Sequence, residues 1–63
     1  MEEHDLVISI VDIGKVPANT DGTIVHIYPN ATVYEVEFVL SDGTHEVETT
    51  FENQIKKRWD VNV

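Results

Sequence analysis

Four glutamates, Glu35, Glu37, Glu46 and Glu48, alternate with apolar residues inside the stretch VYEVEFVLSDGTHEVETTF, residues 33–51, and three histidines lie at positions 4, 26 and 45. Paired carboxylates can share acid and base work when a pocket desolvates one of them. Glu37 and Glu48 have no pocket in prospect, because both fall on an open, convex sheet. His26 and Glu35 form a two-ligand seed, whereas zinc takes three or four ligands, and His4 and His45 are scattered away from them. There is no cysteine, which removes thiolate nucleophiles, zinc knuckles and redox chemistry together. No nucleophile elbow, phosphate loop or dinucleotide fingerprint is present, and Gly22 and Gly43 read as isolated turn glycines. Trp59 beside Lys56, Lys57 and Arg58 has the types of a base-stacking element. The simpler reading is that the cations pair with the acidic sheet or with solvent, while Trp59 covers the barrel's open end or a dimer contact. The expectation is a protein that is not an enzyme, with no catalytic residue, no metal and no cofactor.

What remains for the carboxylates is recognition, and that depends on which face they share. Asp42-Gly43 between alternating apolar residues is a strong hairpin signal, read as a two-residue type I′ turn. That turn sets Leu40 opposite His45, Phe38 opposite Val47, Glu37 opposite Glu48 and Tyr34 opposite Phe51. Because side chains alternate across a strand, Tyr34, Val36, Phe38, Leu40, Val47 and Phe51 then make the core face. Glu35, Glu37, Glu46 and Glu48 share the other. Like charges directly opposite are destabilising, and neither strand holds a lysine or arginine, so a partner is the natural source of the missing charge.

Thr23 to Tyr28, TIVHIY, reads as the preceding strand, joined by the tight loop 29–32. Setting Tyr28 opposite Val33 places Val25 and Ile27 on the core face and puts Ile24, His26 and Tyr28 on the glutamate face. With Val39 they complete a mixed acidic and apolar patch: Ile24, His26, Tyr28, Glu35, Glu37, Val39, Glu46 and Glu48. Apolar residues within an acidic field resemble a binding patch more than a solvated surface.

The rest of the chain is short. Residues 5–11, DLVISIV, form a β-branched first strand open to burial on both sides. Residues 12–22 are loop chemistry, with Val16-Pro17 folding back over one end of the core; so long a loop is either a binding element or a cap on the barrel. Residues 52–54 suit a single 3₁₀ turn, after which Ile55 plugs the core and residues 59–63 alternate as a last strand or tail. No helical period of useful length occurs. The fold expected is all-β, a five-stranded SH3-like partly open barrel occupying residues 1–63 as one domain.

Composition bounds the setting. At 63 residues the chain buries only roughly 60% of its unfolded surface, so a dimer or a partner is a way to add more. Twelve acidic side chains against four basic ones leave a formal charge of −8, a field that repels phosphate backbones and attracts basic surfaces. Direct nucleic-acid binding is disfavoured. The acidic start, MEEHD, has no signal-peptide pattern, and no apolar run approaches the ~20 residues of a membrane helix. A soluble, cytoplasmic protein without membrane contact is expected.

Asp5-Leu6-Val7, Val16-Pro17, Asp21-Gly22-Thr23-Ile24-Val25, Tyr34-Glu35-Val36-Glu37-Phe38, Asp42-Gly43-Thr44 and the closing Gln54-Ile55 together make the chain resemble the bacterial domain-of-unknown-function family 4926, over residues 5–55. It departs from the family pattern at Asn19-Thr20-Asp21-Gly22-Thr23, where a G-D-x-G-T segment is usual, and at Glu46-Val47-Glu48, where the family strand is apolar. The resemblance implies an SH3-like fold and a small bacterial accessory protein, of the kind found in toxin–antitoxin or immunity pairs. It transfers no catalytic residue. The expected function is a non-catalytic module whose acidic face docks on a basic partner, such as a toxin or nucleic-acid enzyme, and inhibits or regulates it. The rival expectation is a structural or accessory subunit that self-associates, as a homodimer, through a strand edge and the Trp59 tail.

Overall fold

The computed structural model describes residues 1–58. Its described residues form one antiparallel sheet of five strands: β1 (Leu6–Ser9), β2 (Asp21–Ile27), β3 (Val33–Val39), β4 (His45–Phe51) and β5 (Ile55–Lys57), with a 3₁₀ turn at Glu52–Gln54 before β5. The strand order is β4-β3-β2-β1-β5, so β4 and β5 are edges and the barrel stays open between them. This is the all-β, five-stranded, partly open architecture expected, with no α-helix among the described residues. The final strand is Ile55–Lys57; the readings placed on Trp59 and on residues 59–63 lie outside the described residues.

One hydrophobic cluster fills the concave side: Val7, Ile13, Val16, Ile24, Tyr34, Val36, Phe38 and Ile55, with Ile27 and Leu40 packed against it. Val16 does fold over this core, and Ile55 does plug it. Backbone bonds between Ile13 and Val16 in both directions, 2.7 and 2.8 Å, close a tight turn at Gly14, whose φ of +56° suits a residue without Cβ. Ser9 lashes the following loop to β1. Its buried hydroxyl donates to Pro17 O and accepts from Thr20 N–H, both at 2.9 Å, so neither group is left unpaired.

The first strand is shorter than residues 5–11 and is not buried on both sides: Val7 and Ser9 point inward, while Leu6 is exposed. Gly22 lies opposite Phe38 in β3. A Cβ there would stand 2.7 Å from Phe38 Cδ1 and 2.8 Å from Val36 Cγ1. The missing side chain lets two core residues close on the β2 backbone.

Two register features differ from the sequence reading. The β3–β4 hairpin turns through three residues, Ser41, Asp42 and Gly43. Leu40 N–H donates to Thr44 O and Gly43 N–H to Leu40 O. Of the turn residues only Gly43 takes positive φ, +87°, which is the form of a type I turn followed by a left-handed glycine rather than type I′. Asp42 fixes it, with Oδ1 accepting from Thr44 N–H at 3.0 Å and Thr44 Oγ1 at 2.7 Å. The extra loop residue slides β4 by one position, so Glu37 faces Val47, Val36 faces Glu48 and Phe38 faces Glu46. A one-residue slip turns every side chain of a strand over.

The second feature is a bulge in β2. Ile24 pairs with Val36 but His26 with Glu35, leaving Val25 as the extra residue. Ile24 is thereby buried in the core and Val25 is 41% exposed, the reverse of the expected placement. Past the bulge Ile27 returns to the core side.

Candidate docking face

The convex face of β2, β3 and β4 carries Glu35 and Glu37 from β3, His26 and Tyr28 from and just beyond β2, and His45, Val47, Thr49 and Phe51 from β4. Val39 joins them at the end of β3. Five of the eight predicted patch residues thus share one face: His26, Tyr28, Glu35, Glu37 and Val39. Three do not. Ile24 is a fully buried core residue because of the bulge. Glu46 and Glu48 sit on the concave side because of the three-residue turn, and a Cβ on Gly14 would lie 2.9 Å from Glu48 Oε2, which places that carboxylate over the 13–16 turn. The proposed opposition of Glu37 and Glu48 therefore does not exist.

The same slip brings out residues that a type I′ turn would place on the core side. Val47 is 57% exposed and Phe51 56%, and His45 moves from the core side to the convex face. An edge strand whose apolar residues face water while its glutamates line the core side is the reverse of ordinary patterning.

Glu35 is the fixed point of the face. Its Oε2 accepts from Tyr28 Oη at 2.5 Å and from Thr49 Oγ1 at 2.7 Å, so one carboxylate ties β3 to β4 and to the residue just past β2. His26 stands edge-on to Tyr28, ring centroids 4.8 Å apart and planes at 90°. The Tyr28 hydroxyl, then the Thr49 hydroxyl, hold the Glu35 carboxyl below the usual carboxylate range, with the His26 ring adding to the effect. The same hydrogen bond to Glu35 raises Tyr28 above an ordinary phenol. Glu37, two residues on and roughly 7 Å along the strand, approaches His45 Nδ1 through Oε2 at 3.2 Å.

Strands β2, β3 and β4 contain no lysine or arginine. Lys57 reaches Asp5 at 3.8 Å and Arg58 reaches Asp21, at the start of β2, at 3.3 Å. Among the described residues no group of three histidine or acidic side chains is placed to hold a metal ion, and no helix is long and apolar enough to cross a membrane. A shallow hollow of about 330 Å³ lies beside the face, lined by Thr32, Phe51, Glu52 and Asn53.

The model of a domain of unknown function, DUF4926, matches residues 3–57. The chain belongs to the DUF4926 family. No curated protein and no solved structure matches it. The family match spans all five strands, so the convex face and both edges of this DUF4926 domain lie within it.

Proposed function

We propose that this DUF4926 domain is a non-catalytic binding module whose convex face docks on a basic protein. The observation that carries the reading is the uncovered mixture on that face: Tyr28, Val39, Val47 and Phe51 exposed around the carboxylates of Glu35 and Glu37, with no cation on the three strands. Apolar side chains supply desolvation at the centre of an interface, and charge supplies orientation and association rate. Glu35 is already held by two hydroxyls, so little side-chain freedom is lost when a cation meets it.

A nucleic-acid enzyme or a toxin that acts on nucleic acid is the class of partner that best fits, since its substrate channel is already positive. Occupying that channel inhibits it. The domain then acts as an antitoxin, immunity protein or regulator, working in the cytoplasm with its partner.

The test uses the intact chain as bait in a lysate of the source organism, alongside two charge-reversed variants. Glu35→Lys/Glu37→Lys alters the face, while Glu2→Lys/Glu3→Lys makes the same change in net charge on exposed residues outside β2, β3 and β4. The reading expects a basic protein retained by the parent and by the second variant and lost by the first. Equal retention by both variants overturns it.

A further inference from the structure

The backbone of β4 is an open edge seven residues long. Leu40 N–H bonds Thr44 O, and Glu52 N–H bonds Thr32 O. These two bonds bracket the β3–β4 ladder and fix which residues turn their peptide groups inward: Glu46, Glu48 and Thr50. In an antiparallel pair the alternate residues turn theirs away, so His45, Val47 and Thr49 present N–H and C=O groups outward, where no described residue bonds them. Phe51 N–H is satisfied by Gln54 Oε1 at 2.8 Å, which ends the open run.

Unpaired edges are usually blunted by short strands, proline, lysine or a bulge. At the other side of the sheet β5 is three residues long and carries two lysines. β4 has neither proline nor lysine, and no bulge interrupts its ladder. Its two rows of side chains differ sharply. Val47 and Phe51 lie on the convex row, and Glu46 and Glu48, partly exposed, on the concave row.

We propose that the β4 edge receives an extended segment of a partner as a sixth strand, and that this segment alternates apolar and basic residues. The residues that exchange hydrogen bonds with His45, Val47 and Thr49 share their face in an antiparallel pair, so apolar side chains pack beside Val47 and Phe51. The intervening basic residues then fall beside Glu46 and Glu48. Main-chain bonds give the added strand its affinity and the two rows its selectivity. A second copy of this chain is a poor occupant. Pairing β4 antiparallel with itself, with the outward groups in register, brings Glu46 and Glu48 of one copy against those of the other, and like charges directly opposite are destabilising. The inference adds a main-chain contact to the docking reading but does not require Glu35 or Glu37.

The probe is an acetylated, amidated seven-residue peptide of alternating lysine and valine, titrated at low salt against the isotopically labelled chain, with amide hydrogen exchange read residue by residue. At saturation the amides of His45, Val47 and Thr49 slow by about tenfold or more. A peptide N-methylated at its valines loses about tenfold or more in affinity, and one N-methylated at its lysines binds within about twofold of the parent. Val47→Pro, which removes an outward donor while leaving the inward ladder intact, binds about tenfold more weakly than Val47→Ala. Three results overturn the proposal: no binding of the parent peptide, binding with exchange at the three amides unchanged, or equal binding of the valine-methylated peptide. Protection of those amides that grows with chain concentration in the absence of peptide also overturns it, in favour of a second copy. Loss of peptide binding in Glu35→Lys/Glu37→Lys with the three amides still protected in the parent bears on the face, not on the edge.

Discussion

Gly22→Ala is the substitution that most sharply probes the packing on which the orientation of Glu35 and Glu37 depends. The added methyl would lie 2.7 Å from Phe38 Cδ1 and 2.8 Å from Val36 Cγ1, whereas carbon atoms rest at roughly 3.5–4.0 Å. Both neighbours are fully buried, so the overlap of about 1 Å must be relieved by moving β2 away from β3 or by forcing Phe38 off its rotamer. Overpacking of this size costs about 1–3 kcal/mol. A chain of 63 residues has a total stability of roughly 3–9 kcal/mol, and each kcal/mol shifts Tm by about 4–8 °C at this size. The variant should therefore melt about 4–24 °C below the parent in a calorimetric or circular-dichroism scan. The cause is testable by adding Phe38→Leu, which removes ring atoms from the crowded position. The double variant should be more stable than the sum of the two single losses by about 1 kcal/mol. A Gly22→Ala protein within about 0.5 kcal/mol of the parent, or strict additivity with Phe38→Leu, would refute the reasoning.

Other perturbations address the turns, the loop and the face. Ala31 holds φ +60° after the turn at residues 28–31, so Ala31→Gly relieves a left-handed Cβ and should raise Tm, the gain being up to about 1 kcal/mol. Ser9→Ala leaves Thr20 N–H without its acceptor, while Pro17 O keeps the Thr20 hydroxyl, and should cost about 1–3 kcal/mol in denaturant unfolding. Tyr28→Phe removes the largest influence on Glu35, so the Glu35 carboxyl should titrate closer to an ordinary carboxylate in side-chain NMR; an unmoved titration contradicts the hydrogen bond. Because the folded Glu35 pKa is depressed below 4.5, its contribution to stability is present above that pH and is lost as pH falls through the folded value. Tyr28, raised above 10.0, contributes below that pH and loses its contribution as pH rises through its folded value. Tyr28→Phe should flatten both ends of the stability-against-pH curve.

Much of the fold was legible because local chemistry and hydrophobic pattern agree. Tyr34, Val36 and Phe38 alternate inward in β3, Ile55 follows its 3₁₀ turn into the core, and Val16 caps it. The site was half legible. In β4 pattern and turn conflict: burying Val47 and Phe51 satisfies the period of two, but Ser41-Asp42-Gly43 forms a three-residue turn and imposes the opposite register. The Asp42 carboxylate, bonded to both Thr44 groups, is the physical reason, and the Asp-Gly-Thr order was its available signal. In β2 the run Thr23-Ile24-Val25-His26-Ile27 has adjacent apolar residues that no strict alternation can seat, and the bulge at Val25 resolves them. These two shifts removed Ile24, Glu46 and Glu48 from the face and added His45, Val47, Thr49 and Phe51. The apolar character of the face rose as its charge fell.

The docking claim is tested most directly by isothermal titration of the captured basic partner with three forms of the chain: the parent, Glu35→Lys/Glu37→Lys and Glu2→Lys/Glu3→Lys. Losing charge complementarity at a desolvated contact costs about 2–5 kcal/mol, so the face variant should bind at least about 30-fold more weakly while the N-terminal variant stays within about threefold of the parent. Equal weakening by both variants would show that net charge alone drives association, and would contradict a docking site on the convex sheet.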